Sequence, residues 1–309
     1  MDPAFGTRTS ATVSVLVPAY NSEAFIAECL QSVLAQTHEA MTVTVVDDCS
    51  TDGTYEVARE VTAGDRRVAV LRNETNLGNR GNFERCLRLA SAPFVKFVCG
   101  DDALEPQALA RMVAFAEDRP DMALVTSCRH MVDERGAVLT QPAFPATIGS
   151  ADMEIDGIAA GDLLLTSGYN WIGEPTTVLF RRELLDLDGL YRIGSAAPQR
   201  NLDIVWWLKI MAGHRMGAIA EPLSRFRIHD GQQSHQAHLR TDLVMSWYDI
   251  IAGASEIGYL QSREAESTAL AAFVRSVQAN VANFDPLDFP RTAATLSAVE
   301  TRLLQLAAA

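Results

Sequence analysis

Basic side chains are scarce in this chain. Only 26 Lys and Arg stand against 39 Asp and Glu in 309 residues, a formal net charge of −13 at pH 7. That balance argues against a nucleic-acid polymer as partner, because a run of phosphates demands a basic footprint. A small nucleotide is still allowed, but a diphosphate approaching so acidic a protein needs a cation or a local basic group. Long apolar runs are also missing. The longest stretch without a charged residue is 136–151, interrupted by Pro142 and Pro145, and it is shorter than the ~18 apolar residues of a membrane span. The N-terminus lacks the basic start and apolar core of a secretory signal, and residues 1–7 (MDPAFGT) read as a loose end or vector remnant. Cysteines are few: Cys29, Cys49, Cys86, Cys99 and Cys128 form no CxxC pair and are odd in number, which argues against structural zinc and a disulfide framework. A reduced, cytoplasmic protein is expected. No GxGxxG follows the first apolar run, which removes the dinucleotide-dependent dehydrogenases. That same place lacks the Gly-rich basic loop of a nucleotidyltransferase.

What is present is ordinary for a globular enzyme: 48% hydrophobic and 21% charged residues, enough to bury a core. Residues 13–17 form a short β-rich run. Ser22 stands at a helix N-cap position, and Phe25, Ile26, Cys29, Leu30, Val33 and Leu34 follow at helical spacing. Further strands are expected at 42–46, 68–71, 94–98 and 123–126. Helices are expected at 54–62, 82–90 and from Pro106 to about Glu117. This alternation implies βαβ units in an α/β fold with a mostly parallel sheet flanked by helices. Ligands of such sheets bind beyond the carboxyl ends of the strands. Asp47-Asp48 and Asp101-Asp102 both fall at strand ends and so on one rim. Later, 133–136 reads as a hairpin turn, 142–148 as a Pro/Ala loop, 158–165 as a helix and 176–180 as a strand. A helix at 203–211, a strand at 225–229 and a polar loop at 230–238 follow. From about residue 240 the chain reads as helices broken near Gly258 and Asp285-Pro286.

Four segments in order, VSVLVPAYN (13–21), VVDDCSTDGT (45–54), NLGN (76–79) and GDD (100–102), resemble the inverting glycosyltransferases of family 2. The resemblance covers roughly residues 12–230 and implies their Rossmann-like GT-A fold. The domain division expected is a loose 1–11, a catalytic domain at 12–238 and a C-terminal helical extension at 239–309. The catalytic domain itself divides into a nucleotide-binding half, 12–127, and an acceptor-binding half, 128–238.

The resemblance also implies roles. Asp48 accepts a hydrogen bond from a base-edge N–H, Tyr20 packs on the base plane, and Pro18, Asn21, Asn76, Asn79 and Asp101 complete the nucleotide site. Asp102, in the DXD-type position, holds Mn2+ or Mg2+, with His229 of RFRIHDGQQS (225–234) as a further candidate for metal or diphosphate and Arg227 beside it. Cys99 stands where the first acid of DXD often stands, and a thiol is a poor ligand for a hard cation. Asp203 of NLDIVWWLKI (201–210) matches the catalytic base, although Leu202 replaces the usual preceding Glu. A carboxylate there takes the proton of an acceptor hydroxyl; its bland alternative is a helix cap. Glu174 and Trp171 fall on the acceptor side. Trp206 and Trp207 suit core packing, and Arg80, Arg85 and Arg88 suit a solvated helix face.

The function implied is metal-dependent, inverting transfer of a sugar from a nucleoside diphosphate sugar, UDP-linked by preference, to a hydroxyl of a glycan or lipid-linked saccharide. Cys99 and Leu202 motivate an alternative, a non-catalytic subunit that binds sugar nucleotide or glycan in a polysaccharide assembly complex. The amphipathic stretch 243–257 and the Asp242 just before it carry acids (Asp242, Asp249 and Glu256) where a membrane-surface helix carries Lys and Arg. Bracing of the catalytic domain or homodimerisation through the C-terminal helices is therefore preferred to lipid contact. Peripheral attachment at the inner face of the membrane is the secondary expectation.

Overall fold

The protein was analysed as a computed structural model that describes residues 11–140, 149–232 and 240–308. The expectations for residues 1–10, for the Pro/Ala loop at 142–148 and for the loop beyond Gln232 lie outside the described residues. The chain forms two compact units that alternate along the sequence. The first takes residues 1–153, 173–187 and 217–227, and the second takes 154–172, 188–216 and 228–309.

The first unit is built on a sheet whose leading strands are β1 (Val13–Ala19), β2 (Met41–Asp47), β3 (Val68–Arg72) and β4 (Phe94–Phe97), all parallel. All seven residues of β1 are buried. This is why it reads as a continuous apolar run rather than an alternating one. Helices α1 (Ile26–Leu34), α2 (Thr54–Val61) and α3 (Gly78–Leu89) lie between these strands. Helix α1 buries Ile26, Cys29, Leu30 and Val33, one stripe at helical spacing, and each such side chain contributes about 1.5–3 kcal/mol of burial. The chain continues through β5 (Ala103–Leu104), α4 (Ala108–Ala116), β6 (Met122–Val132), β7 (Met153–Asp156), β8 (Val178–Arg181) and β9 (Arg215–Arg227). The sheet order is β3-β2-β1-β4-β8-β6-β9-β5, with β7 pairing β9 off this path. Strand β8 enters between β4 and β6, antiparallel to both. The sheet is thus mixed, with its first four strands parallel and β8 antiparallel to both neighbours.

Some local expectations shift. Ser22 does not cap α1 with its side chain. Its carbonyl accepts from the amides of Phe25 and Ile26, and its hydroxyl donates to the Tyr20 carbonyl, so it shapes the turn ahead of the helix. Helix α4 begins at Ala108 rather than at Pro106, and its first-turn Leu109 amide donates to Gln36 Oε1 at 3.0 Å. Because β5 intervenes, Asp101 and Asp102 are not capping residues for α4. The last strand starts ten residues before the expected 225.

In the second unit, α5 (Gly157–Ser167) is capped by Asp156, whose Oδ1 accepts from the amides of Ile158 and Ala159. It packs with α6 (Leu202–Met211) and α8 (Arg263–Asn280), and α8 packs in turn on α7 (Arg240–Glu256) and α9 (Phe289–Ala308). Gly157 is required by close approach: its amide donates to the His214 carbonyl at 2.8 Å, and a Cβ there would strike the carbonyl of Met211. Trp206 and Trp207 are buried and edge-on to each other, so they pack the core. Among the described residues, no helix is long and apolar enough to cross a membrane.

Candidate active site

The carboxyl ends of β1, β2 and β4 form one rim of the first unit, since these strands are adjacent and parallel. Loops leaving them are stitched together by backbone bonds: the Asp48 amide donates to the Ala19 carbonyl at 2.8 Å, and the Gly100 amide to the Pro18 carbonyl at 3.2 Å. Pro18 is buried within β1, and Tyr20 is 46% exposed just beyond it. Asn21 adopts the left-handed conformation (φ 47°), which Asn tolerates well. Its Oδ1 accepts from the amide and hydroxyl of Thr51, holding the 49–53 turn.

The two residues of the first acidic pair do different work. Asp47 is buried and accepts from the amide and hydroxyl of Ser50, while Arg72 Nε lies 3.2 Å from its Oδ2. It is turn chemistry. Asp48 Oδ1 accepts from Asn73 Nδ2 at 2.5 Å and from the Leu77 amide at 2.8 Å. One carboxylate thereby anchors the NLGN loop to the rim. Asn76 closes that loop by accepting from the Gly78 amide, and exposed Asn79 is the second residue of α3. Arg85 donates to Asn73 Oδ1, so it braces this network, whereas Arg88 pairs with Glu84 on the solvated face.

At the end of β4, Cys99 Sγ and carboxylate oxygens of Asp101 and Asp102 lie within 4.8 Å of one another. Asp102 is buried. Its Oδ2 accepts from the Thr176 hydroxyl at 2.6 Å, and its Oδ1 from the Arg227 amide at 3.1 Å. Burial, and then the neighbouring Asp101, push the Asp102 carboxyl well above the usual range. Burial likewise pushes the Cys99 thiol up, helped by Asp102 and Asp101. A desolvated carboxylate beside a second one gains from a cation, and two hard oxygen donors suit Mg2+ or Mn2+. The residues present therefore fit a divalent ion.

Behind this cluster sit residues that the motifs do not mark. Thr176 Oγ1 also accepts from the Cys99 amide at 3.1 Å, so one hydroxyl holds both ends of the cluster. Lys96, 1% exposed in the middle of β4, donates to the Thr176 carbonyl. Its pKa is depressed to about 7 by burial, against the opposing pull of Asp102 and Cys99. Glu174 pairs with buried Arg129 at 2.9 Å, and its carboxyl is raised by burial against that partner. Glu174 also contributes to raising Asp102. Arg227 is committed to the protein: its guanidinium donates to Glu28 Oε2 and to the carbonyls of Asp101, Asp133 and Glu134, over the ring of Phe25. It latches the acidic turn rather than offering a hand to a ligand. Thr176, Lys96 and Arg129 have no sequence signal beyond a charge inside two buried strands.

The second unit holds the other candidates. Asp203, in the first turn of α6, accepts from Asn170 Nδ2 at 3.1 Å. Asn201, ahead of it, has φ 55° and ties α6 to the Leu243 carbonyl of α7. Asp203 is therefore placed by a neighbouring loop and by the helix start. The Trp171 indole N–H is buried without a hydrogen-bond partner among the described residues. His229 is half-buried, and its backbone exchanges bonds with Gln232.

The family model for glycosyl transferase family 2 matches residues 14–186. The chain belongs to that family. It is 32% identical over 245 residues to the uncharacterized protein MT1568 of Mycobacterium tuberculosis, across 76% of this chain and 70% of the relative. It is 32% identical over 125 residues to the putative glycosyltransferase EpsE of Bacillus subtilis, across 40% of this chain and 45% of that one. In the first relative the match thus spans most of the protein, in the second under half. Among solved structures, S. aureus TarS residues 1–349 in complex with UDP-GlcNAc superposes with a TM-score of 0.71 at 20% identity, over 94% of this chain and 81% of the other. The mannosyltransferase PcManGT of Pyrobaculum calidifontis, in complex with GDP-Man and Mn2+, gives a TM-score of 0.53 at 19% identity over 96% and 84%. The fold of this glycosyltransferase-family chain is the GT-A arrangement, a mixed α/β sheet with flanking helices and helices at the C-terminal end.

Proposed function

We propose that the protein is a metal-dependent inverting glycosyltransferase that takes a nucleoside diphosphate sugar, UDP-linked by preference, and transfers the sugar to a hydroxyl of a saccharide or lipid-linked saccharide. The observation that carries this reading is the rim itself. The carboxylate read here as base-recognising (Asp48) and the Asp101–Asp102 pair stand beyond the carboxyl ends of β2 and β4, the parallel strands on either side of β1, where α/β sheets bind ligands. TarS and PcManGT, solved with UDP-GlcNAc and with GDP-Man and Mn2+, support a sugar-nucleotide donor and a divalent ion.

In this reading Tyr20 stacks on the base, and Asp48 accepts its N–H while holding the loop of Asn76 and Asn79 against the nucleotide. Pro18 and Asn21 shape the wall between them. Asp101 faces the ribose or the cation, and Asp102 holds Mn2+ or Mg2+, with His229 as a further ligand for metal or diphosphate. When bound, such a cation neutralises the leaving diphosphate as a Lewis acid. Asp203 accepts the proton of the acceptor hydroxyl as that oxygen attacks the anomeric carbon, while the Asn170 amide keeps the carboxylate oriented. Attack from the face opposite the diphosphate inverts the centre in one step. Trp171 and Glu174 belong to the acceptor side.

The test is a thermal-shift screen of UDP-, dTDP- and GDP-sugars with and without Mn2+, followed by nucleotide-release assays with Asp203→Asn. One donor is expected to stabilise the protein only with metal, and the variant is expected to keep that shift and lose transfer. Transfer at the parent rate by Asp203→Asn overturns the base assignment. A donor shift without nucleotide release from any acceptor favours the binding-subunit alternative.

A further inference from the structure

We infer that Cys99 is a ligand in the cation site, and that its sulfur tilts the site away from Mg2+ toward thiophilic divalent ions such as Zn2+, Co2+ and Cd2+, with Mn2+ between. The inference rests on the donor-site reading above and assigns a role to the residue at which this sequence departs from the DXD pattern. Three observations carry it. The Cys99 sulfur and the carboxylate oxygens of Asp101 and Asp102 lie within 4.8 Å of one another. Two ligands of one ion, at about 2.0–2.3 Å each, sit no farther apart than roughly 4–4.6 Å, so the three side chains are already near the spacing one ion imposes. The cluster is also fixed from behind. The Thr176 hydroxyl accepts from the Cys99 amide and donates to Asp102, which couples the sulfur-bearing residue to the carboxylate through one oxygen. Finally, Cys99 is held from the other side, where the Cys29 thiol donates to its carbonyl at 3.4 Å.

The chemistry then sets the preference. A metal-bound thiol is deprotonated outright, and thiolate is a soft donor that hard Mg2+ gains little from, whereas Zn2+ and Cd2+ bind it strongly. An all-carboxylate version of this turn favours hard ions. This one mixes sulfur with two oxygens and holds both kinds on one rigid turn.

The readout is spectroscopic and needs no turnover. Cd2+ is titrated into the protein while the ultraviolet sulfur-to-metal charge-transfer band is followed, in the parent, Cys99→Ser, Cys99→Asp and Cys49→Ser; Mn2+ binding is followed separately by electron paramagnetic resonance. Cys49 is the control because it is the other cysteine that is not buried. The band is expected in the parent and in Cys49→Ser and absent in both Cys99 variants. Cys99→Asp is expected to lower Cd2+ affinity relative to Mg2+ by on the order of tenfold or more, the scale on which changes around a metal act. Mn2+ binding with no charge-transfer band in the parent, or a band that survives Cys99→Ser, overturns the inference and leaves the donor-site reading standing. Failure of the parent to bind either ion overturns both.

Discussion

The Thr176 hydroxyl makes two bonds at once, accepting from the Cys99 amide and donating to Asp102. Valine has nearly the same shape but no oxygen. Thr176→Val is therefore expected to leave Asp102 short of a donor and to weaken Mn2+ binding by on the order of tenfold, measured by electron paramagnetic resonance. Thr176→Ser, which keeps the oxygen, is expected to retain the parent affinity. Equal Mn2+ affinities in the two variants would remove Thr176 from the positioning of the cluster. None of this is legible in GEPTTV, because a threonine at the start of an expected strand has too many ordinary uses. The position of Asp48 and Asp102 on the rim was legible because their motifs place paired carboxylates at or just beyond strand ends. The separate fates of Asp47 and Asp48 were not, since adjacent residues of one turn point to different partners and only coordinates tell which points where.

At the scale of elements, β4 carries the least expected residue. Lys96 lies fully inside FVKF, and burial holds its pKa at about 7, below the ordinary 10.5. A lysine depressed in the folded state binds fewer protons there than in the unfolded chain between those two values. Stability therefore rises as pH climbs from about 7 toward 10.5, and the penalty is fully present below 7. Denaturant melts across this window are expected to show that slope in the parent and a flatter one in Lys96→Met. An unchanged slope would mean that another group controls it. Strands β1 to β4 and the helices between them were readable because each apolar run is bounded by a turn and each helix has one buried stripe. Strand β9 was readable only at its end. Gly217 and Pro222 break its strand signal, and its partners are set by tertiary pairing that local sequence does not encode.

At the scale of the whole molecule, the C-terminal helices differ in how deeply they are built in. Helix α8 buries Ala269, Leu270, Ala272, Phe273 and Val277, whereas α9 buries only Thr292 and Val299 and leaves Leu304 exposed. A chain ending at Phe284 is expected to keep a cooperative melt within a few degrees of the parent, the response to losing about 1–2 kcal/mol in a protein this large. A chain ending at Leu260 is expected to lose cooperative unfolding of the second unit. A large Tm drop on removing α9 alone would show that this helix is integral. The helical character of this region was visible in the sequence, but which helix matters was not, since burial depends on partners far along the chain.

The order of the sheet has one more consequence, for a chain that is still being made. Strand β4 is complete at Phe97, yet its neighbour on the open side is β8, which ends only at Arg181. Strand β6 is finished before then, but its neighbours in the native sheet are β8 and β9, not β4. During synthesis the nascent protein therefore displays an unpaired apolar strand edge across some eighty residues of elongation, the kind of edge that other chains add to. The interval closes when β8 threads in between strands already formed, so slow elongation or a ribosomal pause between residues 97 and 181 falls where this protein is most exposed to aggregation and to chaperone capture.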